Sequence, residues 1–319
     1  QRQMCIRDSY YYKGNSLEQT RSCTETRTET LRDQFTAYLN FDRTFKRHQI
    51  GVTAGYDYMA ERYRYLTANS TYAPSDKVPV LQSGGNFTAS NKDTKEVLIS
   101  YFGRVNYNFD KRYILSFTAR ADGSSKFGSN NKWAFFPSGA FSWKMHEERF
   151  IRNLNVFDVL KIRASYGISG NQGISAYQTL SRYGQHKYFN GGKWVTAIGP
   201  GYQSGTTGQD GIYALWSGIP NKGLKWETTA QVDLGLDMSF FGNRLNVTFD
   251  WYDKRTSDLL RERNIAPSSG YDKMWVNDGN IRNRGFEITL DGDIVSRKNT
   301  SFSATFIFSR NRNEVTDLG

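Results

Sequence analysis

The chain has 319 residues and a net charge of +11, yet only 38% of it is hydrophobic while 15% is aromatic, with 20 Tyr and 21 Phe. Low hydrophobicity with that aromatic load suits a wall with one greasy and one wet face better than a large soluble core. No run approaches the roughly 18 apolar residues of a spanning helix, and the 42 Lys and Arg are dispersed without a basic tract. Helical spanning and nucleic-acid binding are therefore excluded, and a surface facing anionic lipid fits the charge.

Residues 1–9, QRQMCIRDS, have the character of a sequencing-adapter remnant rather than native protein. With no signal peptide at the start and an abrupt end at Gly319, the chain reads as an excerpt, and 10–319 is expected to form one partial domain. Cys5 and Cys23 lie in this irregular opening stretch and imply no disulfide framework.

Beyond it, ten segments alternate with period two: near 31–41, 48–60, 97–109, 113–121, 135–143, 158–168, 228–240, 245–253, 284–294 and 301–310. An eleventh is placed before Thr30. The third and fourth segments are the clearest. Val97, Ile99, Tyr101, Gly103, Val105, Tyr107 and Phe109 are apolar or small, whereas Ser100, Arg104, Asn106 and Asn108 are polar. After Asp110-Lys111-Arg112, Tyr113, Leu115, Phe117, Ala119 and Ala121 alternate with Ser116, Thr118, Arg120 and Asp122.

The connections alternate in length. Segments 42–47, 110–112, 241–244 and 295–300 are short, 144–157 is intermediate, 122–134 is moderately long, and 61–96, 169–227 and 254–283 are long. Tight turns at one end and long wet loops at the other are the habit of an outer-membrane barrel, and a soluble sandwich has strands nearer five or six residues. The fold expected is all-β: an antiparallel up-and-down transmembrane barrel, present as an unclosed partial barrel of about ten strands.

Parity sorts the charges. Inward positions carry Arg104, Arg120, Lys161 and Arg163 in the earlier strands, then Asp233, Asp237, Asp250, Glu287 and Asp291 in the later ones. Two readings stand side by side: a polarised lumen that guides cargo or docks a plug, and cross-strand ion pairs that satisfy one another. The loop 169–227 carries Tyr183, Tyr188, Trp194, Tyr202, Tyr213 and Trp216 among Gly and Ser. Such rings either stack on cargo or supply the loop's own small core. Trp133, Trp143 and Trp226 fall near strand ends, where indoles favour a membrane interface.

Catalytic and metal signatures are missing, so no enzyme activity, cofactor or metal site is expected. His48, His146 and His186 are scattered, Glu147-Glu148 reads as a solvated charged pair, and no nucleotide loop, GxSxG or HExxH string occurs.

Four strings carry a family likeness. They are RADGSSKFG at 120–128, with NKW at 131–133 and FPS at 136–138; LKIRASYG at 160–167, with GNQGI at 170–174; PNKGLKWETTAQVDLGLD at 220–237; and NDGNIRNRGFE at 277–287. Together they resemble the barrel of SusC/RagA-type TonB-linked outer-membrane transporters of Bacteroidetes, from about Leu31 to Gly319. The resemblance implies import of glycans or peptides, driven by TonB–ExbB–ExbD through an upstream plug and TonB box that nothing here matches. It also implies a SusD-like surface lipoprotein as partner. Two alternatives remain from the residues alone: a passive porin, which needs no plug, and an extracellular glycan-binding sandwich, which folds without detergent.

Overall fold

A computed structural model describes residues 2–8, 22–71, 80–180, 183–200, 202–203, 216–217, 219–266, 271–297 and 299–319. Its strands are β1 (Arg2–Asp8), β2 (Ser22–Phe45), β3 (His48–Thr71), β4 (Asn86–Phe109), β5 (Tyr113–Ser124), β6 (Trp133–Lys144), β7 (Val159–Asn171), β8 (Tyr183–Asn190) and β9 (Lys193–Pro200). They continue with β10 (Tyr202–Gln203), β11 (Trp216–Ser217), β12 (Glu227–Phe240), β13 (Leu245–Ser257), β14 (Leu260–Asn264), β15 (Tyr271–Asn277), β16 (Asn280–Arg297) and β17 (Thr300–Asp317).

Eleven strands share one sheet in the order β1-β2-β3-β4-β5-β6-β7-β12-β13-β16-β17, which leaves β1 and β17 as edges. Sequential antiparallel neighbours give the up-and-down, unclosed meander that the alternation predicts. The hairpin β8–β9 stands as its own two-stranded sheet, and β10, β11, β15 and β14 form another.

The chain divides into two units. The first, Gln1–Phe35 with Tyr58–Val97, holds the leading part of β2, the trailing part of β3 and the leading part of β4. Polar pairs knit it: Arg62 donates to Asp93 at 2.6 Å, Thr24 to Asn69 at 2.9 Å, and Arg32 pairs with Glu61. Here β3 and β4 run eleven residues past the predicted limits of 60 and 97. Both faces of 86–96 are largely polar, so β4 continues there while period two disappears from the sequence, whereas in β3 the alternation Arg62-Tyr63-Arg64-Tyr65 runs on past the predicted limit. Cys23 is buried, and Cys5 stands opposite Glu25 across the ladder.

The second unit, Thr36–Asp57 with Leu98–Gly319, shows the two faces directly. Register places Val105, Phe117, Gly139 and Tyr166 on one face, with Arg104, Thr118, Ser138 and Gly167 on the other. On the first face Phe117 is 55% exposed, and Leu115, Leu234, Phe249 and Phe306 are exposed as well. Large apolar side chains left facing outward in this number mark a surface meant for something other than water. At the short-turn end of that face a row of rings runs across strands: His48 on Phe109 (4.9 Å), Phe109 on Tyr113 (6.1 Å), Tyr113 on Trp143 (5.9 Å). At the other end charges return, as Arg282 binds Asp253 at 2.9 Å.

Candidate functional site: polar face and loop core

On the polar face the cross-strand row Asn108, Ile114, Ser142, Arg163, Gly235, Asp250, Glu287 holds an ion cluster at its centre. Arg163 donates Nε and Nη2 to Asp237 at 2.9 and 2.8 Å, and Nη2 also to Asp250 at 2.9 Å. Lys161 joins at 3.5 Å. Gly235 creates the room: a Cβ there would lie 2.7 Å from both Arg163 Cζ and Asp250 Oδ1. Arg120 finds Asp122 at 2.7 Å and the Ser100 hydroxyl at 2.8 Å.

Two further inward charges, Arg104 and Asp233, bind neutral groups. Arg104 donates to Asn106 at 3.1 Å, and Asp233 accepts from Ser165 at 3.0 Å and Gln231 at 2.6 Å. Thus all of Arg104, Arg120, Arg163, Asp233, Asp237, Asp250 and Glu287 share one face. The ion-pair reading describes Lys161, Arg163, Asp237 and Asp250. Between Arg104 and Asp233 the wall instead carries small or neutral residues, among them Thr118, Ser138, Gly167, Ala140, Ser165 and Gln231, and it forms a depression of about 560 Å³.

Three of the four sequence strings meet at the long-loop side in a small core, and the fourth reaches it through Asn277. Phe127 and Phe136 come from the β5–β6 hairpin, Ile174 from the segment after β7, and Leu224 and Trp226 from the approach to β12; Trp275 packs against them. Leu224 is fully buried and Phe127 nearly so, each contributing about 1.5–3 kcal/mol by leaving water. Polar crosslinks tie the strings: Trp226 Nε1 to Lys132 O (3.0 Å), Asn131 to Gly223 O (2.9 Å), Asn277 to Lys225 O (2.8 Å). At Gly128 a Cβ would fall 2.4 Å from Lys222 O.

Trp226 thereby departs from the interface position expected of it. It is 6% exposed, packed on Phe127 and edge-on to Phe136, because the chain entering β12 turns it inward. Trp133 and Trp143 do lie on the apolar face near strand ends, stacked on Tyr101 and Tyr113. The members of the loop core are not evident in the sequence because they come from three separate connections and from β6. Their one local signal was apolar residues (Phe127, Ile174, Leu224) among Gly and Asn.

Of the predicted loop aromatics, Trp194 belongs to the hairpin β8–β9, is 53% exposed, and meets Phe189 edge-on at 5.5 Å. Tyr188, Tyr202 and Trp216 lie on described backbone in β8, β10 and β11, with side chains outside the described residues; Tyr213 lies outside them altogether. The core around Leu224 is built from other residues, so Trp194 is not one of its members.

A two-faced meander with these strings defines a class, and the comparisons agree. The model of the family described as TonB dependent receptor-like, beta-barrel, matches residues 5–318, and the chain belongs to this family. TonB-dependent receptor P3 of Formosa agariphila is 35% identical over 294 residues, covering 91% of this chain and 28% of the relative. TonB-dependent receptor SusC of Bacteroides thetaiotaomicron is 34% identical over 233 residues, covering 70% of this chain and 21% of that protein. Among solved structures, the RagAB peptide importer superposes with a TM-score of 0.80 at 26% identity, over 95% of this chain and 32% of the other. The chain thus spans about a fifth to a third of the proteins it matches.

Proposed function

We propose that this chain is part of the wall of an outer-membrane importer that takes up glycans or peptides by TonB-driven transport, with a SusD-like surface lipoprotein. The observation that carries the reading is the sheet itself: exposed Leu115, Phe117, Leu234, Phe249 and Phe306 on one face, charge and small polar residues on the other. Lipid covers the first face and the lumen is lined by the second. Likeness to SusC and to the RagAB peptide importer supports the cargo classes and the lipoprotein partner.

In this reading Arg104, Arg120, Arg163, Asp233, Asp237, Asp250 and Glu287 face the lumen. Tyr188, Trp194, Tyr202, Tyr213 and Trp216 belong to the capture loop, and TonB–ExbB–ExbD acts through the upstream part of the protein. The test uses the full-length transporter in cells, measuring cargo uptake and outer-membrane abundance. Trp194→Ala with Trp216→Ala should lower uptake at normal abundance. Loss of abundance instead would make these rings structural. Full uptake after removal of the TonB box would replace the importer by a passive porin.

A further inference from the structure

The connection between β6 and β7, residues 145–158, folds back on the apolar face instead of hanging below the strand ends. Leu160 shares that face with Ile162, Ala164 and Tyr166, yet it is only 8% exposed. His146 binds its backbone, with Nδ1 3.2 Å from Leu160 O and 3.3 Å from Leu160 N. Glu148 fastens the connection to the aromatic row: it accepts from Tyr113 Oη at 2.7 Å, Arg112 Nη1 at 3.2 Å and Trp143 Nε1 at 3.5 Å. Glu148 is therefore not the solvated charge expected from the sequence, since its side chain is only 15% exposed.

Held there, the connection turns Phe150, Leu154 and Val156 outward, more than half exposed. Phe241, on the neighbouring β12–β13 turn, is 76% exposed, and Asp158 steadies that turn by accepting from the Gly242 and Asn243 amides. Val156, Phe157, Phe240 and Phe241, with Arg152, Glu147 and Asp158 beside them, line one shared depression of about 610 Å³. Turns and connections facing water are normally polar, so four large apolar side chains at this rim call for a cover. Continuity names it. The patch extends the apolar face at its ring-lined edge, and Arg149 stands exposed beside Phe150.

We propose that residues 149–156 and Phe241 form an interfacial anchor: the apolar side chains enter the periplasm-side leaflet of a phospholipid bilayer, and Arg149 meets its phosphates. This rests on the outer-membrane reading above. Tight packing of the connection on the strands makes it a fixed foot, not a tether.

The experiment places an NBD fluorophore on Phe150→Cys, and separately on Leu154→Cys, in the full-length transporter reconstituted in phosphatidylethanolamine/phosphatidylglycerol vesicles. Quenching by lipids brominated near the carbonyl is compared with quenching by aqueous iodide, using Phe117→Cys as the lipid reference and Lys111→Cys as the water reference. Both anchor labels should be quenched by bromolipid at least about twofold more than the Lys111 site, and by iodide less than half as much. Iodide quenching equal to that at Lys111 overturns the anchor. Shielding from both quenchers also overturns it and places a second copy or a periplasmic protein on the patch. If the Phe117 label itself escapes bromolipid, the outer-membrane reading falls with it.

Discussion

Phe117→Arg is the sharpest perturbation of the face assignment. Phe117 sits four residues along β5 from Tyr113, whose ring belongs to the row at the short-turn rim. At about 3.4 Å per residue and a tilt near 40°, that is roughly 10 Å into an apolar band about 25 Å tall, close to its midplane. An arginine there costs about 2–4 kcal/mol. Thr118→Arg, one residue on, enters the opposite face beside Ser138 and Arg104. Its penalty is at most like-charge repulsion across one strand pair, about 0.2–1 kcal/mol. Urea titration of the full-length transporter folding into vesicles, followed by heat-modifiable gel mobility, measures both. Costs within about 0.5 kcal/mol of one another would refute the two-faced wall.

Two further outcomes follow from the loop core and the rim. Trp226→Ala empties a site enclosed by Phe127 and Phe136 and should destabilise the long-loop side by about 3–5 kcal/mol; protease cleavage within 172–226 should rise sharply while Trp226→Phe restores most of the resistance, and unchanged cleavage would contradict the core. Hydrogen bonding from Tyr113, then from Trp143 and Arg112, holds the Glu148 carboxyl below the usual carboxylate range. A depressed pKa contributes stability that is fully present above the ordinary glutamate value and is lost as pH falls through the folded-state value. A nitroxide on Asn155→Cys should therefore gain mobility on acidification below about pH 4.5. Glu148→Gln should be mobile already at neutral pH and respond little to acid; identical profiles for the two would refute the latch.

How much of this could be read from residues alone depends on where two solvents meet. Alternation is written into a strand only where its faces see different surroundings, which is why β5, β12 and β13 were placed within a few residues of their observed limits. Asn86–Glu96 of β4 is mostly Asn, Thr, Ser, Lys, Asp and Glu and reads as loop, though the strand runs continuously from Asn86 to Phe109. The loop core was hidden for another reason: Phe127, Ile174, Leu224 and Trp275 are far apart in sequence and apolar without any period.

Charge parity carried real information about faces but not about partners. Arg163, Asp237 and Asp250 were all assigned inward, yet nothing in a list of inward charges shows that three would converge while Arg104 and Asp233 would not. The missing sign was the residue without a side chain. Gly235 interrupts the acidic series Asp233, Asp237 at the one inward position where a Cβ would meet Arg163 and Asp250 at 2.7 Å. A glycine in the middle of a long, regular strand loses stability through backbone entropy and missing packing. Its presence between two inward carboxylates therefore marks the place where side chains from both neighbouring strands close over it. A search for such interior glycines on the polar parity is the way to find lumen ion clusters in other fragments of this kind.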